Sequence, residues 1–427
     1  MKNAKNPWKL CVSAIKTYCM VVNRKSKIEK FFMKRLFEKC LADRRAEQAR
    51  QAGVYPYFHR LESPQDAVVV MEGRRRIMLG SNNYLGLANN PEIVEAAIKA
   101  IEKYGTGCSG SRFVNGTLDL HLELERELAE FTGKEDAIAF GTGFQTSLGA
   151  ISALVGRSDF IVCDVEDHAS IYCAAQTSRG KLLRYRHNDM ESLEKRLERI
   201  PAGAGVLIVV DGVFSVGGDF ADLPSICRLA KEHGAAVMVD DAHGLGVAGA
   251  GGRGTASHFA LESEVDLVMG TFSKSLASLG GFVAGRRETI DYLRHSSAPF
   301  VFSAAIPPAS AAAALAALRH IKAHPGLAER LRDISLYARE AFAKRGIPMS
   351  ATARATSTPI IPIPVGGTFE TCLAAKKMYD AGVFVNPFVP PGVPEGCALL
   401  RTSIMATHTR ELVDEAADII AGALQLG

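Results

Sequence analysis

From about residue 91 onward, short apolar runs alternate with stretches in which apolar residues return every three or four positions. The runs at 136–140, 160–163, 206–210, 235–239, 267–269 and 282–284 predict short strands buried on both faces. Helical spacing predicts helices near 91–104, 118–132, 145–155 and 223–233. This alternation argues for an α/β fold, a mostly parallel sheet with helices on both faces. Ahead of it, 68–79 predicts a small hairpin with Glu72-Gly73 at its turn. Behind it come an Ala-rich helix at 310–321, a second helix and an extended run at 359–365. A helix near 369–381, strands at 383–386 and 399–403, and a terminal helix at 410–424 follow. The expected organisation is a basic segment at 1–50, a lead-in segment and hairpin at 51–90, a large domain at 91–308 and a small C-terminal α+β domain at 309–427.

Composition narrows the class. An apolar content of 47% and a charged content of 22% over 427 residues are those of an ordinary globular protein. The nine cysteines are odd in number, dispersed, and form no Cys-x-x-Cys pair. They predict thiols in a reducing cytoplasm rather than a disulfide framework, and no metal site is expected. Charge is uneven. Residues 1–50 hold fourteen Lys/Arg against four Asp/Glu, a net of +10, so the rest carries −6 of the total +4. A mildly acidic body argues against nucleic-acid binding. The apolar stretch at 8–22 is interrupted by Lys16 and too short to span a bilayer, and no cleavage site follows it. Ile28, Phe31, Phe32, Leu36 and Phe37 recur at helical spacing among lysines and arginines, predicting a basic amphipathic helix. Either it packs on the body or a partner subunit, or it lies on a membrane surface.

The chemistry concentrates at strand ends. Val237-Met238-Val239-Asp240-Asp241-Ala242-His243 delivers an acid and an imidazole, and Gly270-Thr271-Phe272-Ser273-Lys274-Ser275 delivers a lysine among hydroxyls. A lysine that forms an imine, a carboxylate that holds a pyridine proton and hydroxyls for a phosphate are what a pyridoxal phosphate site needs. Small residues around them, Gly270, Ser273, Ser275, Ala277, Ser278, Gly280 and Gly281, are expected to leave room for the ligand. A Walker-type loop is excluded because Phe272-Ser273, not Gly, precede the lysine. Gly141-Thr142-Gly143-Phe144 opens a helix after a strand, where free amides suit a phosphate. His168 and Ser215 follow two further strands. Arg401, inside the apolar run Leu399-Leu400-Arg401-Thr402-Ser403, needs a carboxylate partner, either structural or from an amino-acid substrate.

Ser109-Gly110-Ser111-Arg112-Phe113-Val114-Asn115-Gly116-Thr117, Asp167-His168-Ala169-Ser170, Asp240-Asp241-Ala242-His243, Gly270 to Ser275 and Leu400-Arg401-Thr402-Ser403 follow in an order and spacing that resembles the α-oxoamine synthases. The resemblance runs from about Gly53 to the C-terminus; the basic N-terminal segment has no counterpart in it. It implies a fold-type-I pyridoxal phosphate-dependent transferase that condenses an amino acid with an acyl thioester and loses carbon dioxide. Asn115-Gly116-Thr117, the stretch from Gly270 to Gly281 and Asn386-Pro387-Phe388-Val389-Pro390-Pro391 resemble the members that use L-serine and long-chain acyl-CoA in sphingolipid synthesis. Sister enzymes using cysteate, glycine or alanine are the alternative, and a non-catalytic interaction subunit is the alternative of another class.

The resemblance also implies roles. Lys274 is the imine lysine, Asp240 pairs with the pyridine nitrogen, His243 with the ring hydroxyl, and His168 stacks on the ring. Gly143, Phe144, Ser215, Thr271 and Ser273 surround the cofactor. Ser303 and Ala304 reach the phosphate from the partner subunit of a homodimer with shared active sites. Arg401 holds the serine carboxylate, and Asn83 lies near the substrate. Phe144 stands where the family often has Tyr. Location is expected to be cytoplasmic, with peripheral contact at the inner face of the membrane through the basic segment.

Overall fold

Glu72 and Gly73 both take positive φ, 50° and 73°, the backbone a two-residue hairpin turn demands. They join β1 (Val68–Met71) to β2 (Arg74–Met78) in antiparallel register. The protein is described here from a computed structural model, which describes residues 34–425. Residues up to Tyr57 form one unit and those from Phe58 another. In the first, a short 3₁₀ turn Arg35–Phe37 precedes helices Glu38–Ala42 and Arg45–Gln51. Most of the amphipathic helix expected there falls on residues 28–33, outside the described residues. Leu36 and Phe37, its last members, lie in the 3₁₀ turn and not in an α-helix.

The second unit is built on seven central strands: β3 (Asp136–Phe140), β4 (Phe160–Asp164), β5 (Lys181–Tyr185), β6 (Val206–Asp211), β7 (Ala236–Asp240), β8 (Leu267–Thr271) and β9 (Gly281–Gly285). Their order is β3-β9-β8-β7-β6-β4-β5, and only β9 runs antiparallel to its neighbours. Alternate side chains go to opposite faces. Ile161, Cys163, Val209 and Met238 pack with Ile151 of helix Gly143–Leu154 and Ile171 of helix Ala169–Thr177. Val162, Ile208, Val210, Val237 and Val239 pack with Leu193 of helix Met190–Leu197 and Ile226 of helix Leu223–His233. Both faces are therefore covered, which is why these strands read as unbroken apolar runs.

The strands extend one or two residues past the apolar runs, so that β4, β6 and β7 each end on an aspartate, Asp164, Asp211 and Asp240. Sequence patterning missed β5 and its flanking helices, because Lys181-Leu182-Leu183-Arg184-Tyr185 is a half-exposed edge strand with no clean period. From β4 the chain turns one way to β5 and then returns past it to β6, β7 and β8. That reversal opens a crevice at the carboxyl ends of β4 and β6, the place where ligands collect in such sheets.

The remaining strands are β10 (Ile360–Gly366), β11 (Val383–Phe384), β12 (Asn386–Phe388) and β13 (Ala398–Ser403). The single strand expected at 383–386 is two pieces in different sheets. β12 pairs with β13, which pairs with β10, while β11 runs parallel to β2 and completes the hairpin sheet. Ile77 and Leu79 accordingly share a core with Ile361, Ile363, Val383 and Leu400. This pairing holds the loop after β2 against β13, where Arg401 lies.

Candidate active site

Phe272 fixes the lysine-bearing turn. Its buried ring stacks on Phe282, 6.1 Å between centroids, and its N–H donates to the Gly280 carbonyl at 2.9 Å. A Cβ on Gly280, at φ 142°, would lie 2.5 Å from the Phe272 ring, and one on Gly270 would lie 2.4 Å from the Phe282 ring. These two glycines thus make room for the aromatic side chains that anchor the turn, and Gly280 also lines the cavity described next. With Phe272 anchored, Thr271, Ser273 and Lys274 line a cavity of about 440 Å³ at the carboxyl edge of the sheet.

The same cavity is lined by Gly143, Phe144, His168, Ser215, Asp240, His243 and Arg401, so ten residues expected from the sequence meet in one place. Thr142 caps the helix by accepting the Gln145 N–H at 3.1 Å, which leaves the first-turn amides of Gly143 and Phe144 without intrahelical acceptors. A Cβ on Gly143 would come within 2.8 Å of Thr271 Oγ1, so the glycine permits that approach. His168 caps the next helix, its Nδ1 accepting the Ser170 N–H at 3.2 Å. Asp167 steadies this corner by accepting the Asp164 N–H at 2.7 Å and the Asp211 N–H at 2.8 Å.

Electrostatics separate the groups. Burial pushes the Lys274 amine down to about 8, against the opposing pull of Asp240 and Asp211, with Arg401 adding to the depression. Burial raises Asp240, and the charges of Lys274 and His168 pull it back. Burial holds His243 well below the usual imidazole range, helped by Lys274 and Arg401, so that ring is neutral. Partial burial also lowers His168, with Asp240 opposing.

Arg401 is buried, and no carboxylate lies within ion-pairing distance of it among the described residues. Its Nε donates to the Ser215 carbonyl at 2.5 Å. Its Nη1 donates to Asn82 Oδ1 at 3.1 Å and to Ser403 Oγ at 2.8 Å, and its Nη2 to the Tyr84 hydroxyl at 3.0 Å. Four of the five guanidinium N–H groups are thereby used, and one remains. The Tyr84 hydroxyl also lies 2.7 Å from His243 Nδ1, linking the arginine to the imidazole through a fully buried phenol.

Three expected residues lie elsewhere. Asn83 does not line the cavity: its Oδ1 accepts the Ala88 N–H within its own loop, and its Nδ2 donates at 3.4 Å to the carbonyl of Gln65, which precedes β1. The adjacent Asn82 takes that place. Ser303 and Ala304 also lie outside the cavity of this chain, Ser303 Oγ accepting from Gln145 Nε2 at 3.3 Å. Asn82, Tyr84 and Asp211 were missed. Their signals were the asparagine pair Asn82-Asn83 in the polar loop after β2 and an acid ending a buried strand.

Comparison with known proteins identifies relatives over most of the chain. The family model described as aminotransferase class I and II matches residues 74–420. A serine palmitoyltransferase of Sphingobacterium spiritivorum is 50% identical over 372 residues, 87% of this chain and 92% of that protein. An 8-amino-7-oxononanoate synthase of Thermoanaerobacter pseudethanolicus is 41% identical over 371 residues, 87% of this chain and 93% of the other. A solved structure of SPT with PLP superposes with a TM-score of 0.87 at 34% identity, covering 91% of this chain and 97% of that one.

Proposed function

We propose that this chain, which belongs to the aminotransferase class I and II family, is a pyridoxal phosphate-dependent acyltransferase of fold type I that joins L-serine to a long-chain acyl-CoA. With palmitoyl-CoA the products are 3-ketosphinganine, coenzyme A and carbon dioxide, the first step of sphingolipid synthesis. The observation that carries the reading is the buried Arg401, which has no acid partner among the described residues and lies in the cavity that holds Lys274 and Asp240. A cation so placed calls for a carboxylate from the substrate.

The residues fit the cofactor. Lys274 can hold its aldehyde carbon, Asp240 its pyridine nitrogen, and the amides of Gly143 and Phe144 with the hydroxyls of Thr271 and Ser273 its phosphate. When bound, pyridoxal phosphate supplies an electron sink for the bond broken at Cα. Lys274, its amine lowered to about 8, would be the base that takes the serine Cα proton. Asp240 holds a proton on the ring nitrogen. Neutral His168 is placed to donate to the substrate carboxylate or to the condensing carbonyl. Arg401 would offer its remaining N–H to the serine carboxylate, with its guanidinium held by Tyr84 and Asn82.

The choice of serine rests on the 50% identical relative. The second reading, a sister enzyme using alanine, glycine or cysteate, is favoured by the 41% identical 8-amino-7-oxononanoate synthase. Incubation of the purified holoenzyme with each amino acid against acyl-CoA of several lengths, with products weighed by mass spectrometry, decides between them. Serine with palmitoyl-CoA should give the dominant product; a dominant alanine product would establish the second reading.

A homodimer with shared sites belongs to the same reading. Phe144 and Leu279 line the cavity yet are 45% and 52% exposed, and Phe302 beside Ser303 is 87% exposed. Apolar exposure at a cavity mouth suits cover by a second copy, whose Ser303 and Ala304 would then reach the phosphate. The basic segment at 1–50 is read as a peripheral contact with an anionic membrane, in a cytoplasmic enzyme whose acyl substrate is itself amphiphilic.

A further inference from the structure

One buried hydroxyl joins the two halves of the site. Tyr84 is fully buried, and its carbonyl accepts the Ala406 N–H at 2.7 Å, which holds it beside the end of β13. Three groups surround its hydroxyl: Arg401 Nη2 at 3.0 Å, His243 Nδ1 at 2.7 Å and Asn82 Oδ1 at 3.2 Å. A phenol has one hydrogen to give and lone pairs with which to accept. A guanidinium only donates, so the Tyr84 oxygen accepts from Arg401. Asn82 Oδ1 already accepts the Arg401 Nη1–H at 3.1 Å. The Tyr84 hydrogen therefore goes to the shorter contact, His243 Nδ1, at a length usual for a hydroxyl donor. Burial raises the phenol above its ordinary range, against the pull of Arg401, so that hydrogen is kept.

A neutral imidazole that accepts at Nδ1 carries its hydrogen on Nε2. Burial keeps His243 neutral, and the charges around it, Lys274, Arg401 and His168, are cationic and act the same way. His243 lines the cavity, and its Nε2 has no protein partner among the described residues, so Nε2 is the nitrogen left for a ligand. We propose that Tyr84 is a positioning residue that sets His243 as an Nε2–H donor toward the cofactor while holding Arg401 for the substrate carboxylate. This rests on the cofactor reading above and on the expectation that His243 meets the ring hydroxyl. Tyr84 does not line the cavity, so it ties the cofactor contact to the amino-acid contact without touching either ligand.

Tyr84→Phe removes the hydroxyl and keeps the ring. In the purified holoenzyme, the pH midpoint of the visible cofactor absorbance reads the His243 contact, and a serine titration followed at the same band reads Arg401. A donor on the ring oxygen competes for the electron density that holds the proton shared with the Lys274 nitrogen. With Nδ1 released, the imidazole can present a bare Nε2 to that oxygen, and the proton then persists to higher pH. Tyr84→Phe should raise the midpoint by about one pH unit and weaken serine binding about tenfold. Lys274, Asp240, His168, Arg401 and Ser215 also face the cavity, and all are unchanged in this variant. The midpoint shift should vanish in a His243→Ala background, and the serine effect in an Arg401→Ala background, because each runs through that partner. Cofactor affinity of the apoprotein, measured by equilibrium dialysis, is a readout apart from turnover and should fall only while His243 is present. Melting curves accompany every variant. A midpoint that falls would mean that Nδ1 donates to the phenol, the opposite tautomer. A midpoint or serine affinity that does not change, or effects undiminished in the two backgrounds, would mean that Tyr84 acts by packing alone. Each of these overturns the assignment. A wild-type protein that takes up no coloured cofactor would overturn the cofactor reading with it.

Discussion

Lys274 and Arg401 show what single residues reveal before and after folding. The lysine was legible because it follows a strand among hydroxyls and small residues, but its lowered pKa of about 8 depends on burial between Asp240, Asp211 and Arg401, which no local pattern encodes. Lys274→Ala should retain the fold and lose turnover by about 10³-fold or more, read as product formation from serine and palmitoyl-CoA. In wild type, a base with this pKa is protonated at low pH. Exchange of the serine Cα proton into deuterated buffer should therefore rise with pH through about 8 and level off above it; a profile flat from pH 6 to 9 would assign the base elsewhere. For Arg401, the sequence required a carboxylate but left open whose. Among the described residues the protein offers only Asn82, Tyr84, Ser403 and the Ser215 carbonyl. Arg401→Ala should then lower kcat/KM for serine about 10- to 100-fold while pyridoxal phosphate affinity holds. Unchanged serine kinetics with a much lower melting temperature would make the arginine structural.

Elements were legible in proportion to how fully they are buried. The central strands and the helices beside them have strong periods because each has one environment, whereas β5 at the sheet edge has two and was missed. Loop contacts were less legible still. The loop bearing Asn82 and Tyr84 reaches the site because β2 pairs with β11, three hundred residues on in the chain, and nothing in the local sequence announces that partner. Glycines are ambiguous for a related reason, since composition cannot tell a space kept for a ligand from one kept for a ring, and Gly280 borders both. Two substitutions separate the cases. Gly73→Ala meets no neighbour and bears only the strain of φ 73°, so it should cost about 1 kcal/mol. Gly280→Ala adds a 2.5 Å contact with the buried Phe272 ring at φ 142° and should cost about 2–4 kcal/mol. Denaturant melts of the two compared with wild type measure the difference; equal losses would mean the Phe272 turn yields easily and does not hold Lys274 rigidly.

Across the whole molecule, charge is divided between a basic N-terminal segment at +10 and a body at −6. The body holds the chemistry. No described helix is long and apolar enough to cross a membrane. Leu36 and Phe37, at the end of the apolar stripe, are 69% and 48% exposed. Such a segment can add roughly 1 kcal/mol of attraction per basic residue near an anionic bilayer, decaying within a Debye length. The cavity is assembled wholly from residues 82 to 401. Deleting residues 1–40 should therefore leave turnover on soluble acyl-CoA within about twofold of wild type. The same deletion should reduce co-sedimentation with phosphatidylserine-containing vesicles, and the lost binding should be the part that high salt also removes. Turnover that collapses while the protein runs as a monomer would place the segment in a subunit interface instead. Vesicle binding equal to that of the full chain would place the lipid contact on the body.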